Sequence, residues 1–319
     1  MSDLILRSER LLPEVRAFLE SLDAAGAPPL SGQDPAMARN GRLEFWKKHG
    51  GESVALGQVE DRFLPGPGGD VPVRVYAKEQ GEARPAAVYF HGGGFVFGNL
   101  DSHDAVCRDL ADKSGAVVIA VDYRLAPEHK YPSAIEDAHS ATFWVADNAH
   151  MLGIDPRRIA VVGDSAGGTL AAVIAMRSRD AGGPDLALQV LIFPITDFSS
   201  FETGSYREFG EKYFLTRDTM NWFKGHYLRS ASLAHQPEAS PLLAPDLSRL
   251  PPALVITAEF DPLRDEGEAY AERMRQAGVP VTLTRYPGTI HGFVSMRGKL
   301  AHGRTAIEEA ALSIRSMKG

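Results

Sequence analysis

The feature of this 319-residue chain that leaves the fewest folds open lies at residues 158–176. Arg158-Ile159-Ala160-Val161-Val162 is a short β-branched apolar run suited to a buried strand, and Thr169-Leu170-Ala171-Ala172-Val173-Ile174-Ala175-Met176 suits a helix. Between them, Gly163-Asp164-Ser165-Ala166-Gly167 matches Gly-x-Ser-x-Gly. In that pattern the serine sits on a strained strand-to-helix turn, and the glycines let the two elements pass closely. A serine hydroxyl is a poor nucleophile at its free pKa. Holding one out on such a turn therefore has chemical meaning only if a base, an orienting acid and oxyanion donors lie nearby.

The rest of the chain supplies a scaffold for such a turn. An alternating strand at 71–77, apolar runs at 85–90 and 116–121 and further strand candidates at 187–193, 253–258 and 281–286 alternate with helical spacing at 133–146, 266–277 and 305–317. This rhythm predicts an α/β protein with a mainly parallel central sheet covered by helices on both faces. Residues 1–55 stand outside it. Leu11, Val15, Phe18, Leu19 and Leu22 recur at helical spacing up to Gly26-Ala27-Pro28-Pro29, and a second helix is expected from Asp34 to His49. We therefore expect a helical N-terminal cap region at 1–55 and one large domain at 56–319. The aromatic-rich stretch 198–225 is expected to form a second cap segment.

Composition removes several classes of function. A net charge of −7 with no basic run opposes a nucleic-acid surface. The one cysteine, Cys107, excludes an internal disulfide framework and reads as a packing residue on a helix face. No segment reaches 18 uninterrupted apolar residues, so no membrane span is expected, and the first residues lack a signal-peptide pattern. A cytoplasmic protein is the expectation. His103, His129, His139 and His150 have no ligand-spaced acidic or cysteine neighbours, so neither metal nor organic cofactor is anticipated.

In a sheet of this kind, chemistry belongs on loops leaving the C-terminal strand ends. Asp261 follows the run 253–258, His291 follows 281–286, and with Ser165 they give the order Ser, Asp, His expected of an α/β-hydrolase. Asp265 and Glu259 compete for the role of the acid. Asp265 is suited to capping the next helix, and Asp261 is preferred. One oxyanion donor belongs to Ala166, just after the serine, and another to a loop after an earlier strand, for which His91-Gly92-Gly93-Gly94-Phe95 is placed.

Taken together, HGGGF at 91–95, DYRLAPEH at 122–129, GDSAGG at 163–168, DPLRDEG at 261–267 and YPGTIHGF at 286–293 resemble the hormone-sensitive-lipase family of esterases, in its bacterial GDSAGG branch. The resemblance runs from about residue 60 to the C-terminus. It implies an α/β-hydrolase fold and a serine carboxylesterase with nucleophile Ser165, base His291 and acid Asp261. By the same resemblance the N–H groups of Gly93, Gly94 and Ala166 receive the oxyanion, His91 supports the loop, and an N-terminal cap covers the acyl pocket. Phe45, Trp46, Phe214 and Trp222 are the candidate pocket aromatics. A small-molecule ester with a short to medium acyl chain is the expected substrate. An amide, carbamate or lactone stays open as an alternative, as does a non-catalytic ligand receptor on the same fold, which intact His291 disfavours. The unpaired edge expected at 281–286 also predicts a homodimer through the sheet edge.

Overall fold

The computed structural model describes residues 8–26, 28–79, 81 and 83–318. Two helices come first, α1 (Pro13–Ala25) and α2 (Pro35–His49). Each carries proline in its first turn, where the missing N–H costs no bond. Helix α1 stops at Gly26, whose φ of +62° is left-handed, and the Asp34 carboxylate caps α2 by accepting from Ala36 N–H at 2.9 Å. The chain continues through β1 (Gln58–Leu64), β2 (Val71–Ala77), β3 (Arg84–Phe90), α3 (Asp104–Ser114), β4 (Val117–Val121) and α4 (Ser133–Asp147). Next come β5 (Ile154–Asp164), α5 (Ala166–Ala181), β6 (Leu188–Ile192), α6 (Gly204–Phe209) and α7 (Arg217–Tyr227). Last are β7 (Ala253–Phe260), α8 (Arg264–Gln276), β8 (Val281–Ile290) and α9 (Ala301–Arg315).

The eight strands form one sheet in the order β1-β2-β4-β3-β5-β6-β7-β8. Only β1 with β2 and β2 with β4 pair antiparallel; the remaining pairs are parallel. This is the mainly parallel, doubly covered sheet expected from the apolar runs. Alternate residues of each strand feed opposite cores. Val88, Val161, Leu191 and Val255 pack with α4, α5 and α8, and Tyr89, Val162, Val190 and Ile256 pack with α3 and α9. Each such side chain contributes about 1.5–3 kcal/mol by leaving water, so burial on both faces fixes strand register.

Strand β1 is the element the apolar runs do not announce. Its residues Glu60 and Asp61 are exposed, because an edge strand paired on one side has little to bury. Helix α8 starts at Arg264, so Asp265 lies inside its first turn instead of capping it. Glu266, in the same turn, is buried, and its Oε1 accepts from Thr196 N–H at 2.7 Å and Asp197 N–H at 3.2 Å. It thereby fastens the loop after β6 to α8.

Burial pushes the Glu266 carboxyl well above its ordinary range against the pull of those two N–H groups. The folded protein thus keeps a proton that the unfolded chain releases near pH 4, and stability falls as pH rises above that point. Glu266→Gln keeps the accepting oxygen and cannot ionise. In thermal melts it is expected to exceed the wild-type Tm by roughly 2 °C at pH 8 and to match it at pH 4; a gap that does not change with pH contradicts this account.

Candidate active site

Strand β5 ends at Asp164 and α5 begins at Ala166, so Ser165 alone makes the turn, at φ +55° and ψ −118°. A side chain holds such a φ only where its surroundings dictate it. Here the backbone does so. Ser165 N–H donates to Ile192 O at 2.8 Å, and its carbonyl accepts from Thr169 N–H at 3.2 Å and Ile195 N–H at 3.3 Å. The close passage of α5 over the sheet needs glycine. A Cβ on Gly167 would stand 1.9 Å from Phe90 O, inside any tolerable contact.

Three neighbouring strand ends bring the remaining groups to the serine. The Ser165 Oγ lies 3.1 Å from His291 Nε2, and His291 Nδ1 lies 2.7 Å from Asp261 Oδ2. Asp261 is fully buried, and its Oδ1 accepts from Leu263 N–H at 2.9 Å. The ring of Phe193 meets the imidazole of His291 edge-on at 4.7 Å and fixes its plane. The two competing acids are engaged elsewhere. Asp265 accepts from Ser205 N–H and Arg264, and Glu259 from Gly288 N–H and Arg10. Geometry thus separates three carboxylates that sequence spacing could only rank.

The loop after β3 faces this line of groups. Gly93 and Gly94 take φ of +125° and +61° and border the same cavity as Ser165 and His291. Among the described residues, the N–H groups of Gly93, Gly94 and Ala166 donate to no protein acceptor. They are free to receive negative charge that develops beside the serine.

Two buried groups hold this loop: Asp164, whose role the motifs do not announce, and His91, the expected loop support. Asp164 Oδ1 accepts from the Tyr89 hydroxyl at 2.6 Å and from Gly92 N–H at 3.0 Å, and its Oδ2 lies 3.4 Å from His103 Nε2. Burial pushes this carboxyl up, yet His103 and the Tyr89 hydroxyl outweigh it and hold the group below its ordinary pKa. His91 stacks on Tyr123 with centroids 4.3 Å apart, and its Nδ1–H donates to Gly92 O at 2.8 Å. Burial, aided by His103, pulls its pKa down to about 3, so it stays neutral and supports the loop.

The cavity over Ser165 holds about 50 Å³. Trp46, Phe97, Phe214 and Phe223 form its apolar walls. Phe45 and Trp222, expected among them, stand behind. Phe45 stacks on Phe214 with centroids 5.6 Å apart, and Trp222 packs against Phe223 and His226. Successive helix residues point about 100° apart, so Trp46 and Phe223 reach the cavity and their immediate neighbours do not. Phe97 was missed because nothing in its local sequence distinguishes it from a core residue. Among the described residues no group of three or more His, Cys, Asp or Glu is placed to hold a metal ion.

Residues 87–295 match a protein family described as alpha/beta hydrolase fold. The chain is 41% identical over 300 residues to a carboxylic ester hydrolase, LipN, of Mycobacterium tuberculosis, covering 92% of this chain and 79% of that one. It is 44% identical over 297 residues to an ethyl acetate hydrolase of Pseudomonas putida, covering 90% and 92% respectively. Among solved structures, an esterase of Pyrobaculum calidifontis superimposes with a TM-score of 0.90 at 48% identity, over 96% of this chain and 98% of that one. The chain belongs to the α/β-hydrolase fold family, in the hormone-sensitive-lipase group that its motifs resemble.

Because Gly167 lies against backbone that cannot yield, Gly167→Ala is expected to lower Tm by more than 5 °C, a loss of at least about 2 kcal/mol, or to prevent soluble folding. An unchanged melting curve would show that strand and helix can separate at this crossing.

Proposed function

We propose that this protein is a serine carboxylesterase that cleaves esters with short to medium acyl groups. The observation that carries this is the line Asp261–His291–Ser165, at 2.7 and 3.1 Å, set opposite N–H groups with no protein acceptor. The ester-hydrolase names of the relatives support the same reaction. Ser165 Oγ attacks the ester carbonyl as His291 Nε2 takes its proton. Asp261 holds Nδ1–H in place and stabilises the imidazolium. The N–H groups of Gly93, Gly94 and Ala166 receive the oxyanion. Collapse of the tetrahedral intermediate breaks the C–O bond, and the alcohol leaves with the proton held by His291. Water activated by the same nitrogen then releases the acid from the acyl-enzyme. The apolar walls formed by Trp46, Phe97, Phe214 and Phe223 support short to medium acyl groups over long chains.

Helices α1 and α2 and the segment 198–225 act as a cap, which their wall residues Trp46 and Phe214 support. Strand β8 closes the sheet with one edge unpaired, and a second copy of the chain pairs there to form a homodimer.

Turnover of p-nitrophenyl acetate tests the roles. Ser165→Ala and His291→Ala are expected to lower kcat by at least about 10⁴-fold and Asp261→Asn by about 10⁴-fold, while Asp265→Asn stays within about tenfold of wild type. Equal losses in the two aspartate variants would remove Asp261 from its role. Sedimentation at micromolar concentration is expected to give a species of twice 34.6 kDa; a single species at 34.6 kDa rejects the dimer.

A further inference from the structure

One charged group in the cavity wall has no partner of opposite sign. Arg42 stands one turn before Trp46 on α2 and borders the same cavity as Ser165, Gly93 and His291. Its guanidinium carbon lies 5.3 Å from the ring centroid of Phe45, 5.3 Å from that of Phe214 and 6.0 Å from that of Phe97. Among the described residues it makes no ion pair and donates to no oxygen, and these three rings are its cation–π partners. Burial alone acts on its pKa, pulling it down to about 10, and no carboxylate pushes back.

The contrast with its neighbour is sharp. Arg39, three residues earlier on the same helix, pairs with Glu128 and donates to the carbonyls of Val96 and Ala126. Among the described residues, the one carboxylate on the cavity wall, Asp164, is already engaged by Tyr89 and Gly92. Arg42 is half-buried, and the hydration its guanidinium gives up against these rings is returned only in part by aromatic faces. A planar fork of five N–H donors beside a nucleophile is instead suited to a carboxylate brought in from outside.

We propose that Arg42 is a specificity-determining residue, and that the preferred substrates are esters carrying a second, anionic carboxylate group. This rests on the ester-hydrolase assignment above. The carboxylate can belong to the acyl part, as in a half-ester of a dicarboxylic acid, or to the alcohol part, as in the acetate of a hydroxy acid. Arg42 serves both by the same pairing. Reaction at Ser165 is unchanged by it, because the guanidinium holds the far end of the substrate and takes no proton.

The test compares matched esters in a pH-stat: monoethyl glutarate against ethyl valerate for the acyl arm, and 4-acetoxybutanoate against butyl acetate for the alcohol arm. In at least one arm, the ratio of kcat/KM for the charged over the neutral ester is expected to fall 10- to 100-fold in Arg42→Met, mainly through KM, with partial recovery in Arg42→Lys. In the wild type, raising salt from about 0.05 to 0.5 M should raise KM for the charged ester of that arm more than for its neutral partner, a measurement that needs no variant. The same ratio in wild type and Arg42→Met in both arms, with no differential salt effect, overturns the proposal. If no ester of either kind turns over, the ester-hydrolase assignment has failed. Calorimetric binding of monoethyl glutarate then decides the matter: affinity lost in Arg42→Met upholds the role of Arg42, and equal affinity or none rejects it.

Discussion

The Asp164 carboxylate accepts at once from the Tyr89 hydroxyl, at 2.6 Å, and from the Gly92 N–H, at 3.0 Å. One buried anion therefore ties the last residue of β5 to β3 and to the loop that leaves it. Bonds to a charged acceptor are stronger than neutral ones, and a buried carboxylate stripped of its donors would carry a large desolvation penalty. The serine turn and the glycine loop are thus set at one spacing by the residue immediately before the serine. Everything proposed for the site depends on that spacing, since an oxyanion donor displaced by about 1 Å loses most of its effect.

The scaffold around this anchor stores strain where chemistry needs it. Ser165 at φ +55° is held by three backbone hydrogen bonds. The sheet that absorbs the cost is buried on both faces from β3 to β7. The imidazole rests between the fully buried Asp261 and the Phe193 ring, and has little freedom to leave its line with the serine. Such preorganisation replaces reorganisation at the moment of reaction.

Much of this was legible in the sequence because the signals were local. Fully apolar runs mark strands buried on both faces, and the elbow, glycine loop and acid follow such runs, while the histidine follows the half-polar strand at 281–286. What escaped was set by contacts between distant segments. Strand β1 is polar because it lies at an edge. The choice among Glu259, Asp261 and Asp265 turned on partners as far away as Arg10 and Ser205. Phe45 and Trp46 are equally aromatic neighbours, and only the rotation of α2 puts the second against the cavity. Arg42 carries no motif, and its place in the cavity wall follows only from the rings of Phe97 and Phe214 that stand beside it in the fold.

The central claim is that one activated serine forms a covalent bond to substrate. Brief treatment with a p-nitrophenyl alkylphosphonate, followed by intact-mass and peptide mass spectrometry, tests it most directly. The account predicts one adduct per chain, with release of one equivalent of p-nitrophenolate, on the peptide that contains Ser165. An adduct on another residue, or a folded protein that takes up none, would contradict it.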